Sequence, residues 1–289
     1  MRVVVLGARG RLGSYLVPHL DLCGHKVLGL SRGGDGLNVD LTNFTQVCSV
    51  LNRIMPDVIV NLAAQTNIDE CEASPQSAYL ANVKIVENLV EWIESKGSLS
   101  HLVHLSTDQI YDSLGPHKED DIALVNYYGL SKYAGELAAR RVNSTILRTN
   151  FFGRIQTPGK KSFSDWLIES LSNEKKITVF DDVYFSPLSL QRLVVLLELV
   201  ACKQLNGTFN LGSRDGMSKA SFAFMLAGVL GLPTKNMSRG GVGTVKLAAN
   251  RAKDMRMDSS KFESSFHVEL PTLTQEIESL KGTYPNESR

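Results

Sequence analysis

The sequence predicts a doubly wound α/β fold: a parallel sheet covered by helices on both faces, with a smaller α/β lobe in the C-terminal half. Three observations carry that prediction. Short β-branched runs alternate with helical stretches through the first half, a glycine-spaced turn follows the first run, and the alternation weakens after Asn150.

In chain order, residues 2–7, 26–31, 57–64, 101–107 and 144–150 read as strands, with a short further strand just ahead of Asp40. Residues 10–22, 44–54, 75–95 and 126–141 lie between those runs, each long enough for a crossover helix. Pro18 lacks the N–H that would bond the Ser14 carbonyl, so it is expected to kink or shorten the first helix. After Asn150 come a Gly/Lys loop, a helix near residues 163–171, a strand at 176–180, a long apolar helix near 190–201 and a strand at 207–212. Residues 1–150 are expected to form one unit, and 151–289 a lobe with segments that return to the sheet. The closing "TYPNESR" reads as a frayed tail.

The chain has 289 residues, of which 43% are apolar and 21% charged, the balance of an ordinary globular chain with a sizeable core. With 31 basic and 30 acidic side chains there is no net field to draw nucleic acid or an anionic membrane. The most apolar stretch, from Leu193, is interrupted by Glu198 and too short to span a bilayer. Cysteines at 23, 48, 71 and 202 match neither a close-spaced zinc motif nor a disulfide framework, so no metal site is expected and a reducing cytoplasm is the simplest setting. His101 and His104, three apart on a strand, face opposite ways.

Gly7, Gly10 and Gly13 follow the first strand in a G-x-x-G-x-x-G spacing. Each excludes a side chain for its own reason: a tight turn at Gly7, approach of backbone to a pyrophosphate near Gly10, and close helix-on-strand packing at Gly13. The helix start then offers free N–H groups to phosphate, which makes this a dinucleotide site rather than a turn that happens to be glycine-rich. Ser31 and Arg32 close the second strand, with no acid before Asp35. A carboxylate there would hold the ribose of NAD and an arginine accommodates a 2′-phosphate, so NADP(H) is favoured over NAD(H). Arg32 as a plain surface residue, with Arg9 or Arg11 reading the phosphate, is the competing account. Asp40 and Leu41 could flank the adenine, unless Asp40 simply caps the helix that begins near Asn43.

Tyr128 and Lys132 stand four apart at the start of a helix, hence on one face a turn apart. Such pairs are common on helix surfaces, so the spacing alone proves little. Context gives it chemistry: an ammonium beside a phenol lowers its pKa, and a tyrosine so placed can protonate a carbonyl oxygen as hydride arrives. Ser106 and Thr107 supply hydroxyls at the carboxyl end of a neighbouring strand, where open α/β sheets bind ligands. Tyr127 is expected to face away.

The glycine spacing, "NLAAQTNIDECE", "STDQIY", "YYGLSKYAGE" and "ILRTNFFG" occur together and in order, over nearly the whole chain. In combination they resemble the extended short-chain dehydrogenases/reductases, and more narrowly the dTDP-4-dehydrorhamnose reductase branch. The resemblance implies a Rossmann domain binding NADP, with Thr107, Tyr128 and Lys132 as catalytic residues, Tyr128 being the proton donor. It also implies Gly7, Gly10, Arg11, Leu12 and Gly13 at the pyrophosphate, and Ala63, Ala64, Gln65 and Thr66 along the cofactor. Asp108 and Asn150 would join Thr107 and Tyr128 at the substrate, and Asn82 would lie behind the site or serve structure alone. The expected reaction is NADPH-dependent reduction of a nucleotide-linked 4-keto-6-deoxy sugar, in deoxysugar or surface-polysaccharide synthesis. Lys160, Lys161, Arg192, Arg251 and Lys253 are candidates for its diphosphate, and a homodimer is one possible assembly.

Departures concentrate on the recognition side. The branch typically has Tyr-Val-Phe where this chain has Gln109, Ile110 and Tyr111, and a tryptophan in the stretch that here reads Asn150, Phe151, Phe152, Gly153. Two alternatives remain: an epimerase or dehydratase of the same family, and a non-catalytic NADP-binding subunit like the regulatory beta subunit of methionine adenosyltransferase. A dehydratase should place a glutamate beside the acid that follows the catalytic threonine; this chain has Gln109 there.

Overall fold

The computed structural model describes residues 1–31, 39–155, 159, 161–245 and 247–281. The first half supplies β1 (Arg2–Leu6), β2 (Lys26–Leu30), β3 (Val58–Asn61), β4 (His101–Thr107) and β5 (Ser144–Thr149). Short strands β6 (Phe151–Phe152), β7 (Ile177–Phe180), β8 (Tyr184–Phe185) and β9 (Leu188–Ser189) precede β10 (Gly207–Leu211). The central sheet runs β10-β5-β4-β3-β1-β2, with every neighbouring pair parallel. Strand order reverses around β1, so the crevice beyond the carboxyl ends of β1 and β3 is where a ligand is expected in such a sheet.

Helices α1 (Gly13–Leu22), α2 (Phe44–Ile54), α3 (Ile68–Ala73), α4 (Pro75–Tyr79), α5 (Ile85–Lys96) and α6 (Tyr127–Ala139) belong to the first half. A π-helical turn, Leu80–Lys84, joins α4 to α5. The second half adds α7 (Phe163–Ser172), α8 (Leu190–Lys203), α9 (Lys219–Leu230), α10 (Ser260–Phe266) and α11 (Leu273–Glu278). One sheet face is packed by Leu16 and Leu20 of α1 with Leu193, Leu197 and Val200 of α8. The other buries Val47 and Leu51 of α2 against Val86, Leu89 and Trp92 of α5. A third core, around Phe152, Leu167, Phe185, Phe222 and Leu226, fills the C-terminal lobe.

The expected fold class is therefore the observed one, with β10 returning from the second half to the sheet edge beside β5. Local expectations differ at three points. Pro18 does not end α1, which continues four residues beyond it. The short strand expected just ahead of Asp40 falls largely on residues 32–38, outside the described residues; Asp40 itself accepts from the Thr42 N–H and hydroxyl, a side-chain turn ahead of α2. Asn43, not Asp40, caps α2 by accepting from the Gln46 N–H. Helix α3 was not anticipated, although Asn67 is a good cap and its side chain accepts from Asp69 and Glu70. Arg32, Lys160 and the "TYPNESR" tail lie outside the described residues.

Candidate active site

The glycine turn closes on itself before any ligand is considered. Gly7 has φ +80, and a Cβ there would lie 3.0 Å from the Ala63 nitrogen at the end of β3. A Cβ on Gly13 would run into the Gly7 carbonyl and the Ala8 backbone, so α1 starts hard against β1. Gly10 donates to the Gly7 carbonyl at 2.8 Å, and a Cβ there would sit 2.9 Å from the same oxygen. The N–H groups of Arg11 and Leu12 make no backbone bond among the described residues and open at the start of α1. That cradle fits a pyrophosphate. The Leu12 side chain itself is buried in the core, while the Arg11 side chain is exposed.

Beyond β3, residues 63–66 are held from behind. Asn61 accepts from the Ala63 N–H, and Asn82 accepts from the Gln65 N–H while donating to the Gln65 carbonyl and to the Ser131 hydroxyl of α6. Asn82 thus ties this loop to the helix that bears Tyr128, a positioning role reached through the π-helical turn. Thr66 follows on the exposed side of the loop, beside Gln65, whose amide donates to Glu70.

At the carboxyl ends of β4 and β5, the expected trio converges. Asn126 caps α6 by accepting from the Gly129 N–H, which sets Tyr128 and Lys132 inward while Tyr127 is 43% exposed. Thr107 Oγ1 accepts from the Gln109 N–H and lies near enough to Tyr128 to draw its phenol pKa down against burial. Lys132 Nζ donates to the Leu105 carbonyl at 2.6 Å, and burial brings its pKa down to about 8 against an upward pull from Glu136. Asp108 is buried, its carboxyl raised to about 6 by burial, and it accepts from the Asn150 side-chain amide at 2.7 Å.

One expectation is corrected here. Tyr128 is not acidified: burial pushes its phenol above the ordinary value, and the groups that pull it down are Thr107 and Arg11 rather than Lys132. The physical reason is desolvation of the phenolate, with the lysine ammonium turned to a backbone carbonyl.

Two features escaped the sequence reading. Glu136, four residues after Lys132 and fully buried, accepts from Ser106 Oγ at 2.5 Å and pairs with the equally buried Arg148, Nη2 to Oε2 2.6 Å. Arg148 also donates to the Tyr111 hydroxyl, which donates to Asn210. The helical register Tyr128, Lys132, Glu136 and a charged residue inside an apolar strand were the available signals. The second feature is Lys219 at the start of α9, whose ammonium lies over the Phe163 and Phe185 rings at 5.6 and 6.0 Å and feels the charge of Asp108.

Other candidates are placed less favourably. Leu41 packs its side chain in the core, and its carbonyl accepts from Asn88. Ser31 directly follows β2, and Asp40, nine residues on, is exposed. Of the cations considered for a diphosphate, Lys161 pairs with Glu169, Arg192 with Glu276 and Arg251 with Asp69; Lys253 is exposed.

Residues 1–284 match the family described as the RmlD substrate binding domain. A probable low-salt glycan biosynthesis reductase of Haloferax volcanii is 26% identical over the full length of both chains. The dTDP-4-dehydrorhamnose reductase of Streptomyces griseus is 32% identical, over 73% of this chain and 68% of its own. Among solved structures, dTDP-4-dehydrorhamnose reductase of Bacillus anthracis in complex with NADP superimposes with a TM-score of 0.88, at 25% identity, covering 98% of this chain and 99% of that one. A match of that extent, on a chain whose glycine turn and Thr-Tyr-Lys trio meet at one sheet edge, makes this protein a member of the RmlD family, the dTDP-4-dehydrorhamnose reductase branch of the extended short-chain dehydrogenases/reductases.

Proposed function

We propose that this chain is an NADPH-dependent reductase of a nucleotide-linked 4-keto-6-deoxy sugar. The observation that carries the reading is the hydroxyl pair Thr107–Tyr128, buried next to Lys132 at the edge where the glycine cradle opens. Bound there, a nicotinamide dinucleotide supplies hydride to the sugar's carbonyl carbon. The protein's residues do the remainder. Thr107 holds the carbonyl oxygen and the Tyr128 phenol in one hydrogen-bonded line, and the phenol gives its proton to the oxygen as that oxygen gains charge. The phenolate left behind regains its proton from solvent, while the Lys132 ammonium, held by the Leu105 carbonyl, is placed to hold the ribose of the bound cofactor.

In the division we propose, residues 1–150 hold the dinucleotide and residues 151–289 meet the sugar, with Asp108 and Asn150 at the seam and Lys219 facing them. Gln109 speaks for a reductase over a dehydratase. A neutral amide stands where that reaction needs a second carboxylate, and its Nε2 is spent on Met255 Sδ at 2.8 Å.

The test is stoichiometric. With dTDP-4-keto-6-deoxy sugars as substrates, NADPH should disappear one for one with product; turnover without net NADPH loss would instead mark an epimerase or dehydratase. The preference for NADPH is proposed to rest on Arg32, so Arg32→Asp should raise the KM for NADPH at least ~10-fold while leaving that for NADH nearly unchanged. An unaltered ratio would assign the phosphate to Arg9 or Arg11.

A further inference from the structure

We propose that His25, Glu198 and Cys202 form a binding site for a zinc-like divalent transition-metal ion at the amino-terminal edge of the sheet. That edge is opposite the candidate active site: His25 immediately precedes β2, and Cys202 lies near the end of α8, ahead of β10.

The site is assembled by packing. Helices α1 and α8 lie together on one sheet face through Leu16, Leu20, Leu193 and Leu197, so their ends reach the same edge. Glu198 and Cys202 are four apart on α8 and share a face. Gly24, with φ +82, turns the chain out of α1 and delivers His25 to that face. The donors already converge. His25 Nε2 is 3.3 Å from Glu198 Oε1, Cys202 Sγ is 3.1 Å from the same oxygen, and all three ligand atoms lie within 4.8 Å of one another.

Those separations are close to what an ion requires. Zinc bonds of about 2.0–2.3 Å to nitrogen, oxygen and sulfur place the ligands of one tetrahedron roughly 3.3–3.7 Å apart. Two edges are nearly at that length, and the third closes with a movement on the order of an ångström. An imidazole, a carboxylate and a thiol form a borderline donor set, suited to zinc and unsuited to magnesium or calcium, which take oxygen ligands. His19 and Cys23 stand on the last turn of α1, Nε2 to Sγ 3.8 Å. Neither belongs to the converging group, so the protein supplies three ligands and the fourth position is left to solvent. Spacing along the chain hides the site, because His25 and Cys202 are brought together only by the contact of α1 with α8.

The bland account is a histidine–carboxylate pair with a thiol beside it, needing no ion. Titration of the metal-stripped, untagged full chain with Zn2+ under a non-thiol reductant separates the two. We expect one saturable equivalent with a dissociation constant in the micromolar range or below, and a melting temperature that rises with zinc. Co2+ in place of zinc should give a thiolate-to-metal absorption band. His25→Asn and Cys202→Ser should each weaken zinc binding by at least ~10-fold and remove the thermal shift, while NADPH binding stays as in the parent. Absence of saturable binding, absence of the cobalt–thiolate band, or unchanged affinity in both variants would overturn the proposal.

Discussion

A phenol that must give up a proton has to hold one until the carbonyl oxygen asks for it. Burial raises the Tyr128 pKa, so at neutral pH the proton is in place, and the cost of forming phenolate is met only when charge develops opposite it. Tyr128→Phe should therefore lower kcat by about 10²–10⁴-fold with little change in NADPH affinity, read by steady-state kinetics and fluorescence titration. Near-parent turnover would remove Tyr128 from the proton step. Asp108 carries a different signature, since burial lifts its carboxyl from 3.8 to about 6. The folded chain then binds the proton more tightly than the unfolded one, so stability is fullest below pH 4 and is lost as pH rises through 6. About two units correspond to on the order of 3 kcal/mol. Asp108→Asn should melt higher than the parent above pH 6 and alike below pH 4, while binding sugar more weakly. A melting advantage that did not vary with pH would refute the assignment.

Helix α6 acts as a ruler, placing Tyr128, Lys132 and Glu136 at successive turns with the proton donor nearest the crevice and the carboxylate deepest. Glu136 raises the pKa of Lys132 against the burial that lowers it to about 8. Activity that needs the ammonium should fall as pH rises through about 8, and Glu136→Gln should move that alkaline limb to lower pH. The amide can still accept from Ser106, so a pH profile separates this electrostatic effect from simple unfolding. An unmoved limb would limit Glu136 to holding Arg148, whose loss of a partner costs about 3–5 kcal/mol. The Tyr128–Lys132 step of that ruler was read from the sequence, as were the glycine turn and the strands of the first half, because each is written in spacings of three, four or two residues; Glu136, one step further on, was not. What joins them was not. Asn82 reaches Gln65 across 17 positions and Ser106 reaches Glu136 across 30, and no local period reports such pairings. The acidification expected of Tyr128 failed for the same reason: spacing fixed the neighbour, but burial and the Leu105 carbonyl decided what the neighbour does.

At the scale of the molecule, packing runs across Asn150. The core on one sheet face joins Val3, Val5, Leu16 and Leu20 to Leu193, Leu197, Val200 and Phe209, and β10 covers the edge of β5 along Thr145 to Thr149. Residues 1–150 alone would leave β5 as an open edge and expose the α1 face that α8 covers, a liability both for stability and for aggregation. The fragment should show no cooperative thermal transition by circular dichroism and no protection from proteolysis on adding NADPH, whereas the full chain should unfold in one transition that NADPH raises. A fragment that melted sharply and answered to NADPH would show the dinucleotide unit to be self-sufficient. If instead the halves fold as one, cofactor bound at the glycine turn and sugar bound by the second half stabilise the same cooperative unit. Each ligand should then raise the melting temperature of the whole chain rather than of a part.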